Sequence, residues 1–216
     1  MIPKIIHYCW FGKGDMPEIN KRCLDSWSRL DGYNLILWDE SNAPMDDTLI
    51  KDLYKKKQWA FISDYVRLYA LSQFGGVYLD TDIEIVKDLS PLLKYNAFLG
   101  MESEGKYNNA VMGAEQGHPF VIECMDFMKS KFNNGEILYS PEVVTTVLEM
   151  SSNSHLVKLF PYEFFYPYNP FREGSLSQLM LSDIKEDTYA IHHWSNSWKS
   201  NMTFFDYLKR AIKKIR

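Results

Sequence analysis

The sequence predicts a single α/β domain built on a largely parallel sheet. Apolar strand-like runs alternate with helix-like segments along the chain, the pattern of parallel strands joined by crossover helices. The 216 residues suffice for one well-buried domain. No repeat, low-complexity stretch or linker divides them.

The elements follow in order. Lys4 to Trp10 is a short apolar run ended by Gly12, Gly14 and Asp15, a first strand and its loop. Pro17 to Leu30 carries Ile19, Cys23, Trp27 and Leu30 at near-helical spacing. Tyr33 to Trp38 is a second strand, bounded by Asp31-Gly32 and Asp39, and Thr48 to Lys57 a polar helix. Ala60 to Phe74 is a stronger helix, with Ile62, Val66, Tyr69, Ala70 and Phe74 on one face and Gly75-Gly76 as its stop. Strands are expected at Val77–Leu79, Ile83–Val86, Ala97–Met101 and Ala110–Ala114. Helices are expected at Pro119–Phe132, where Pro sits near the start, and at Glu142–Met150. Late strands fall at Leu156–Phe160, Phe164–Tyr166 and Tyr189–Trp194. Residues 1–203 form the domain, and 204–216 a basic amphipathic terminal helix.

Hydrophobic residues make up 46% and charged ones 24%, which excludes a disordered chain. Net charge is −4, against general nucleic-acid binding. The tail 204–216 is +4 (Lys209, Arg210, Lys213, Lys214 and Arg216 against Asp206), leaving −8 on the remainder. Cys9, Cys23 and Cys124 are scattered and form no C-x-x-C pair, so free thiols in a reducing compartment are expected and no zinc site. No apolar run approaches a membrane span, and the first residues are too polar for a signal peptide. A cytosolic protein is the expectation.

The most informative stretch is GGVYLDTDIEIV, residues 75 to 86. Asp80 and Asp82 close a buried-strand pattern. Strand side chains two apart share a face, so both carboxylates aim together from the end where α/β folds bind ligands. Converging carboxylates call for a cation, and Mg²⁺ or Mn²⁺ shared with a phosphate suits them. The pattern therefore implies an enzyme acting on a nucleotide-activated substrate. An EF-hand loop would need Gly and Glu where Ile85 and Pro91 stand, so that reading fails. A plain turn is the competing structural reading. Glu84 continues the alternation, as a supporting carboxylate or a solvated one.

Asp64 and Arg67 lie three apart on the helix that leads into this strand and share a face. They read as a grip on sugar hydroxyls or as a surface ion pair. In His192-His193-Trp194-Ser195-Asn196-Ser197-Trp198, imidazole suits Mn²⁺-like ions and phosphate. Adjacent strand residues face opposite ways, so one histidine of the two faces the site. Trp10 ends the first strand, where an aromatic ring stacks on a nucleotide base or fills the core.

Together these pieces resemble the D-x-D-containing sugar-transferase family. It includes the yeast-type initiating α-1,6-mannosyltransferases and bacterial capsule and lipopolysaccharide glycosyltransferases. The clostridial glucosylating toxins are more distant relatives. The matching elements are IPKIIHYCWFG, SDYVRLYALSQFGGVYLDTDIEIVKDL and HHWSNSW, in the right order over nearly the whole chain. The resemblance implies a glycosyltransferase fold of the A type, one Rossmann-like domain around a mixed sheet flanked by helices. It implies a nucleotide-sugar donor (a UDP- or GDP-hexose), a divalent metal, usually Mn²⁺, and retention of anomeric configuration. By position, Trp10 matches the residue stacking on the base, Asp64 and Arg67 residues holding the donor sugar, and Tyr78 a donor-side aromatic. Asp80 matches the D-x-D residue contacting ribose and sugar, and Asp82 the direct metal ligand. His192 or His193 would approach metal or diphosphate, and Trp198 the leaving phosphate. Where members often carry Thr-Gly-Pro, this chain has Tyr139-Ser140-Pro141. Asn108, Asn109 and His118 fall where acceptor contacts would lie and stay unassigned.

The function expected is transfer of a hexose to a lipid-linked glycan acceptor in capsule or lipopolysaccharide synthesis. A sugar nucleotidyltransferase is the nearest rival, but the loop FGKGDMPE has one Lys where a triphosphate site needs more. A sugar-binding protein is the second, suggested by 15% aromatics. In the tail, Phe204, Leu208, Ile212 and Ile215 share one helical face, which suits an anionic membrane surface. A terminal helix packed on the domain gives the same pattern.

Overall fold

The structure, a computed structural model, describes residues 1–172, 174, 176 and 178–195. Trp198 and the expected tail helix lie outside the described residues.

The elements are β1 (Ile5–Cys9), α1 (Glu18–Ser26), β2 (Asn34–Trp38), α2 (Thr48–Lys55), α3 (Trp59–Phe74), β3 (Gly76–Leu79) and β4 (Ile83–Ile85). Then follow β5 (Ala97–Ser103), β6 (Lys106–Ala114), α4 (Pro119–Asn133), α5 (Ser140–Met150), β7 (Val157–Phe160) and β8 (Ala190–His192). Six strands form one sheet in the order β2-β1-β3-β6-β5-β7, and β4 pairs with β8 in a separate ribbon.

The sheet is mixed, as the family resemblance implies, and not largely parallel as the alternation of strands and helices alone predicts. β1 pairs in parallel with β2 and β3, and β5 with β7, whereas β6 runs antiparallel to both β3 and β5. The cause is local. Ser103 pairs with Lys106, so Glu104-Gly105 closes a two-residue hairpin with Gly105 at φ +68°. A hairpin forces its strands to run antiparallel.

Helix α3 stops where only glycine serves. Gly75 has φ +63°, and a Cβ there would stand 2.6 Å from the Gln116 nitrogen. At Gly76, φ +110°, a Cβ would stand 2.7 Å from the Ile5 oxygen. The pair turns the chain from α3 directly into β3 against β1.

Alternation along β3 divides the core between the sheet's two faces. Tyr78 joins a cluster under α2, α3, α4 and α5, while Val77 and Leu79 join one with Trp27, Ile83, Ile85 and Phe165. The expected polar helix α2 is amphipathic, burying Leu49, Ile50 and Leu53. The expected strand Phe164–Tyr166 does not form. Pro161 opens a single 3₁₀ turn, Tyr162–Phe164, and the Tyr166 N–H returns to the Tyr162 carbonyl at 2.7 Å. Its aromatics pack in the core, with Phe160 stacked on Phe164, and build no ladder. Among the described residues, no helix is long and apolar enough to cross a membrane.

Candidate active site

Four regions of the chain meet at the carboxyl ends of β1 and β3. Helix α3 delivers Asp64 and Arg67 on its buried face. They are not the surface ion pair that spacing alone allows. Arg67 is 5% exposed, and its Nη2 lies 2.8 Å from Asp64 Oδ1 and 3.0 Å from Asp80 Oδ1. Nη1 donates to both the carbonyl and the side-chain oxygen of Asn109, at 3.0 and 3.2 Å. The guanidinium lies over the Tyr78 ring, 4.5 Å from its centre. Asp64 Oδ2 accepts from the Ser140 N–H at 3.3 Å, at the N-terminus of α5, where helix N–H groups favour an anion.

Asp80 and Asp82 converge, for a reason other than strand alternation. Asp80 is the first residue past β3, and its N–H still bonds the Ala110 carbonyl across the sheet. Thr81 and Asp82 then form a turn closed by the Ile83 N–H on the Asp80 carbonyl, 3.0 Å. The β4–β8 register sets Ile83 opposite His192, and the His193 N–H bonds the Asp82 carbonyl. Ligand atoms of Asp80, Asp82 and His192 all lie within 4.8 Å of one another. His193 faces away from this group and bonds Glu84 at 2.8 Å. Glu84 therefore supports His193, not the carboxylate pair.

Tyr78 and Trp10, the two expected donor-side aromatics, stand outside the Asp80–Asp82–His192 group. Tyr78 is 1% exposed and donates its hydroxyl to Asp80 Oδ1 at 3.0 Å, so it stands beneath Asp80 and acts through it. Trp10 follows β1, half-buried, with its indole N–H on the Gly14 carbonyl at 2.7 Å, which fixes the ring against its own loop. It is not part of the carboxylate cluster.

Two family models match the chain: the glycosyltransferase sugar-binding region containing the DXD motif over residues 17–99, and the alpha 1,4-glycosyltransferase conserved region over 113–205. A mannosyl phosphorylinositol ceramide synthase of Saccharomyces cerevisiae is 34% identical over 64% of this chain and 38% of its own length. A lactosylceramide 4-alpha-galactosyltransferase of Pongo pygmaeus is 30% identical over 77% of this chain and 84% of its own sequence. The chain belongs to the DXD-containing glycosyltransferase family. It spans less than half the length of several curated relatives, 38% of the yeast protein and 46% of the corresponding galactosyltransferase of Mus musculus. Among solved structures, the PaToxG glycosyltransferase shares the fold at TM-score 0.57, 21% identity and 72% coverage of both chains.

Electrostatics within this glycosyltransferase-family site separate the carboxylates. Burial pushes the Asp64 carboxyl up to about 6, with Arg67 opposing. Burial also raises Asp80, again against Arg67. Asp82 is buried too, yet His192 and the Ser195 hydrogen bonds hold it well below the usual carboxylate range. His192 is raised, because Asp82 outweighs the desolvation that would lower it. For Arg67 the neighbouring Asp80 and Asp64 likewise overcome burial and fix its charge.

The residues fit a divalent cation. Two carboxylate oxygens and one imidazole nitrogen suit Mn²⁺ or a similar ion. All three ligand atoms lie within 4.8 Å of one another, close enough for one ion to reach them together. Among the described residues His192 Nδ1 is buried without a hydrogen-bond partner, so a small rotation of the ring breaks no bond to them at that atom.

Several residues of the site were given no role by the sequence, or a different one. Asn109 grips Arg67, and the neighbouring pair Asn108-Asn109 inside a strand, where Asn is depleted, was the available signal. Asn108 itself bonds Glu102 and the Ala110 N–H. Ser195 clamps Asp82 from within the quoted HHWSNSW run. Tyr166 donates to the Asn108 carbonyl and lies 5.9 Å from the His192 ring. His118 precedes α4 beyond Ala114, which pairs with Gly76 at the opposite end of the sheet. It is remote from the carboxylates.

Proposed function

We propose that the chain is a metal-dependent, retaining glycosyltransferase that moves a hexose from a UDP- or GDP-sugar to a lipid-linked glycan acceptor. One observation carries this: the Asp80–Asp82–His192 group adjoins the buried Asp64–Arg67–Asp80 network at the carboxyl ends of β1 and β3. Family membership supports it.

Asp80, Asp82 and His192 would hold Mn²⁺ or Mg²⁺. The bound ion supplies charge neutralisation for the departing nucleoside diphosphate. Arg67 fixes Asp64 and Asp80 in one geometry, and Asp64 accepts hydrogen bonds from donor-sugar hydroxyls. Trp10 offers its ring to the base, and Trp198 its indole N–H to the leaving phosphate. The bond from the anomeric carbon to the diphosphate oxygen breaks as the bond to the acceptor oxygen forms on the same face. The acceptor's proton passes to the departing phosphate oxygen.

A cavity of about 260 Å³ offers an acceptor place, linked to the metal group through Trp194. Tyr168, Arg172 and Asp183 are among its lining residues. The Tyr168 carbonyl accepts from the Trp194 indole at 2.7 Å, and the Trp194 ring packs 4.1 Å from that of His192. All three curated relatives named above carry ceramide in their names, which favours a glycan borne on a lipid. The sequence resemblance adds capsule or lipopolysaccharide synthesis as the setting, and the +4 tail a place on the inner face of an anionic membrane.

Donor hydrolysis tests this. Protein with Mn²⁺ is offered UDP- and GDP-sugars and released nucleoside diphosphate is counted. Turnover of one donor, abolished in Asp82→Ala, is expected. No turnover and no metal-dependent nucleotide binding would sink the proposal.

A further inference from the structure

Helix α1 has an unusual buried face. Its buried residues are Asn20, Cys23 and Ser26, spaced as one helical stripe, and two of the three are polar. A helix packing on a core ordinarily presents aliphatic side chains there. Three of the hydrogen bonds made here by side chains reach the stretch 81–85. Asn20 Nδ2 donates to Thr81 Oγ1 at 2.9 Å, between two side chains 1% and 9% exposed. The Ile85 N–H donates to Ser26 Oγ at 2.8 Å. Trp27, just past the helix, donates its indole N–H to the Ile83 carbonyl at 2.8 Å.

The topology explains why side chains are needed. β4 has three residues and one strand neighbour, β8. Its other edge would leave buried backbone groups without partners, a costly arrangement. Side chains of α1 and Trp27 take the place of the missing strand. Thr81 is the residue between the two aspartates. Its hydroxyl is held by α1 on one side of the sheet, while Asp80 is held by Arg67 of α3 on the other.

We infer that Asn20 is a positioning residue for the metal site: through Thr81 it sets the spacing of Asp80 and Asp82. This rests on the metal-dependent reading above. Asn20 Oδ1 is buried with no partner among the described residues, so the amide is a poor choice for stability alone. An apolar residue would suit a purely structural site better.

Thr81→Val, Thr81→Ser, Asn20→Leu and the double variant Asn20→Leu/Thr81→Val test this. Mn²⁺ binding is followed by electron paramagnetic resonance, with UDP and separately with GDP, alongside thermal melting. Thr81→Val and Asn20→Leu are each expected to weaken Mn²⁺ binding by about tenfold, as loss of outer-sphere support does elsewhere. The double variant is expected to be no weaker than either single, because one bond is being removed. Thr81→Ser keeps the hydroxyl and binds as the parent does, and melting stays where it was. If Asn20→Leu does not fold, the contrast of Thr81→Val with Thr81→Ser decides alone. Parent-like binding in Thr81→Val, or losses that add in the double variant, would overturn the inference. A parent protein that binds no Mn²⁺ with either nucleotide would instead remove the metal-dependent reading on which it rests.

Discussion

Ser195 donates both its backbone N–H and its hydroxyl to one carboxylate oxygen of Asp82, at 2.8 and 2.9 Å. The other oxygen, Oδ1, faces His192 at 3.3 Å. One side of Asp82 is thus tied to the chain and the other is left toward the metal group. Trp194, with φ +53°, makes the tight bend that brings Ser195 back. Ser195→Ala removes the hydroxyl bond and keeps the N–H. Mn²⁺ affinity is expected to fall roughly tenfold. An unchanged metal titration would show that the hydroxyl has no part in orienting Asp82.

Arg67 is the keystone of the buried charges. Its removal strands Asp64 and Asp80 without their cation. Arg67→Ala is expected to cost about 3–5 kcal/mol in urea unfolding. Arg67→Lys keeps the charge but cannot hold two carboxylates and Asn109 at once. It should unfold between parent and Arg67→Ala and lose donor turnover. Full turnover in the lysine variant would count against the bridging geometry.

Asp64 gives a pH signature with a definite sign. Its carboxyl is raised by burial to about 6 in the folded protein, from an ordinary value of 3.8. Between those values the folded protein keeps a proton that the unfolded chain has released, so stability falls as pH rises through the window. Asp64→Asn does not titrate. Relative to the parent it should gain about 3 kcal/mol between pH 4 and 7, at about 1.4 kcal/mol per pH unit. Donor turnover should fall below pH 6 as Asp64 takes up its proton. Parallel stability curves for parent and variant would refute the assignment.

The proposed acceptor cavity is tested at Arg172. Its Nη2 donates to the Pro167 carbonyl at 3.3 Å and its guanidinium covers the Tyr162 ring at 4.1 Å. Arg172→Ala is expected to raise the acceptor KM about tenfold, some 1.4 kcal/mol of binding. A matching rise in donor KM would assign the cavity to the donor instead.

What the sequence revealed was local. The apolar run before Asp80, the stripe of α3 and the glycine stop at Gly75-Gly76 are short-range signals, and those elements lie where the pattern puts them. Strand direction is decided by pairing, and Glu104-Gly105 lacks the Asn-Gly or Asp-Gly signature that advertises a hairpin. At 164–166 aromatic residues have high strand propensity, yet they fill the core from an irregular segment. The carboxylate pair was found for a partly mistaken reason, since a turn and not strand alternation brings Asp80 and Asp82 together. The partners of Asp64 and Arg67 were hidden because they arrive from distant positions, Ser140 and Asn109. The choice between His192 and His193 needed the register against Ile83, which no local pattern contains.

The pairing of β4 with β8 has a consequence for biosynthesis. Ile83 leaves the ribosome more than a hundred residues ahead of His192, its strand partner. A growing chain can assemble α3, β3 and β6, and with them Arg67, Asp80 and Asn109, while Asp82 still has neither His192 nor Ser195 beside it. During that interval α1 holds the stretch 81–85 alone. The half of the site proposed to grip sugar thus gains its partners first, and the half proposed to gather the cation gains its partners last.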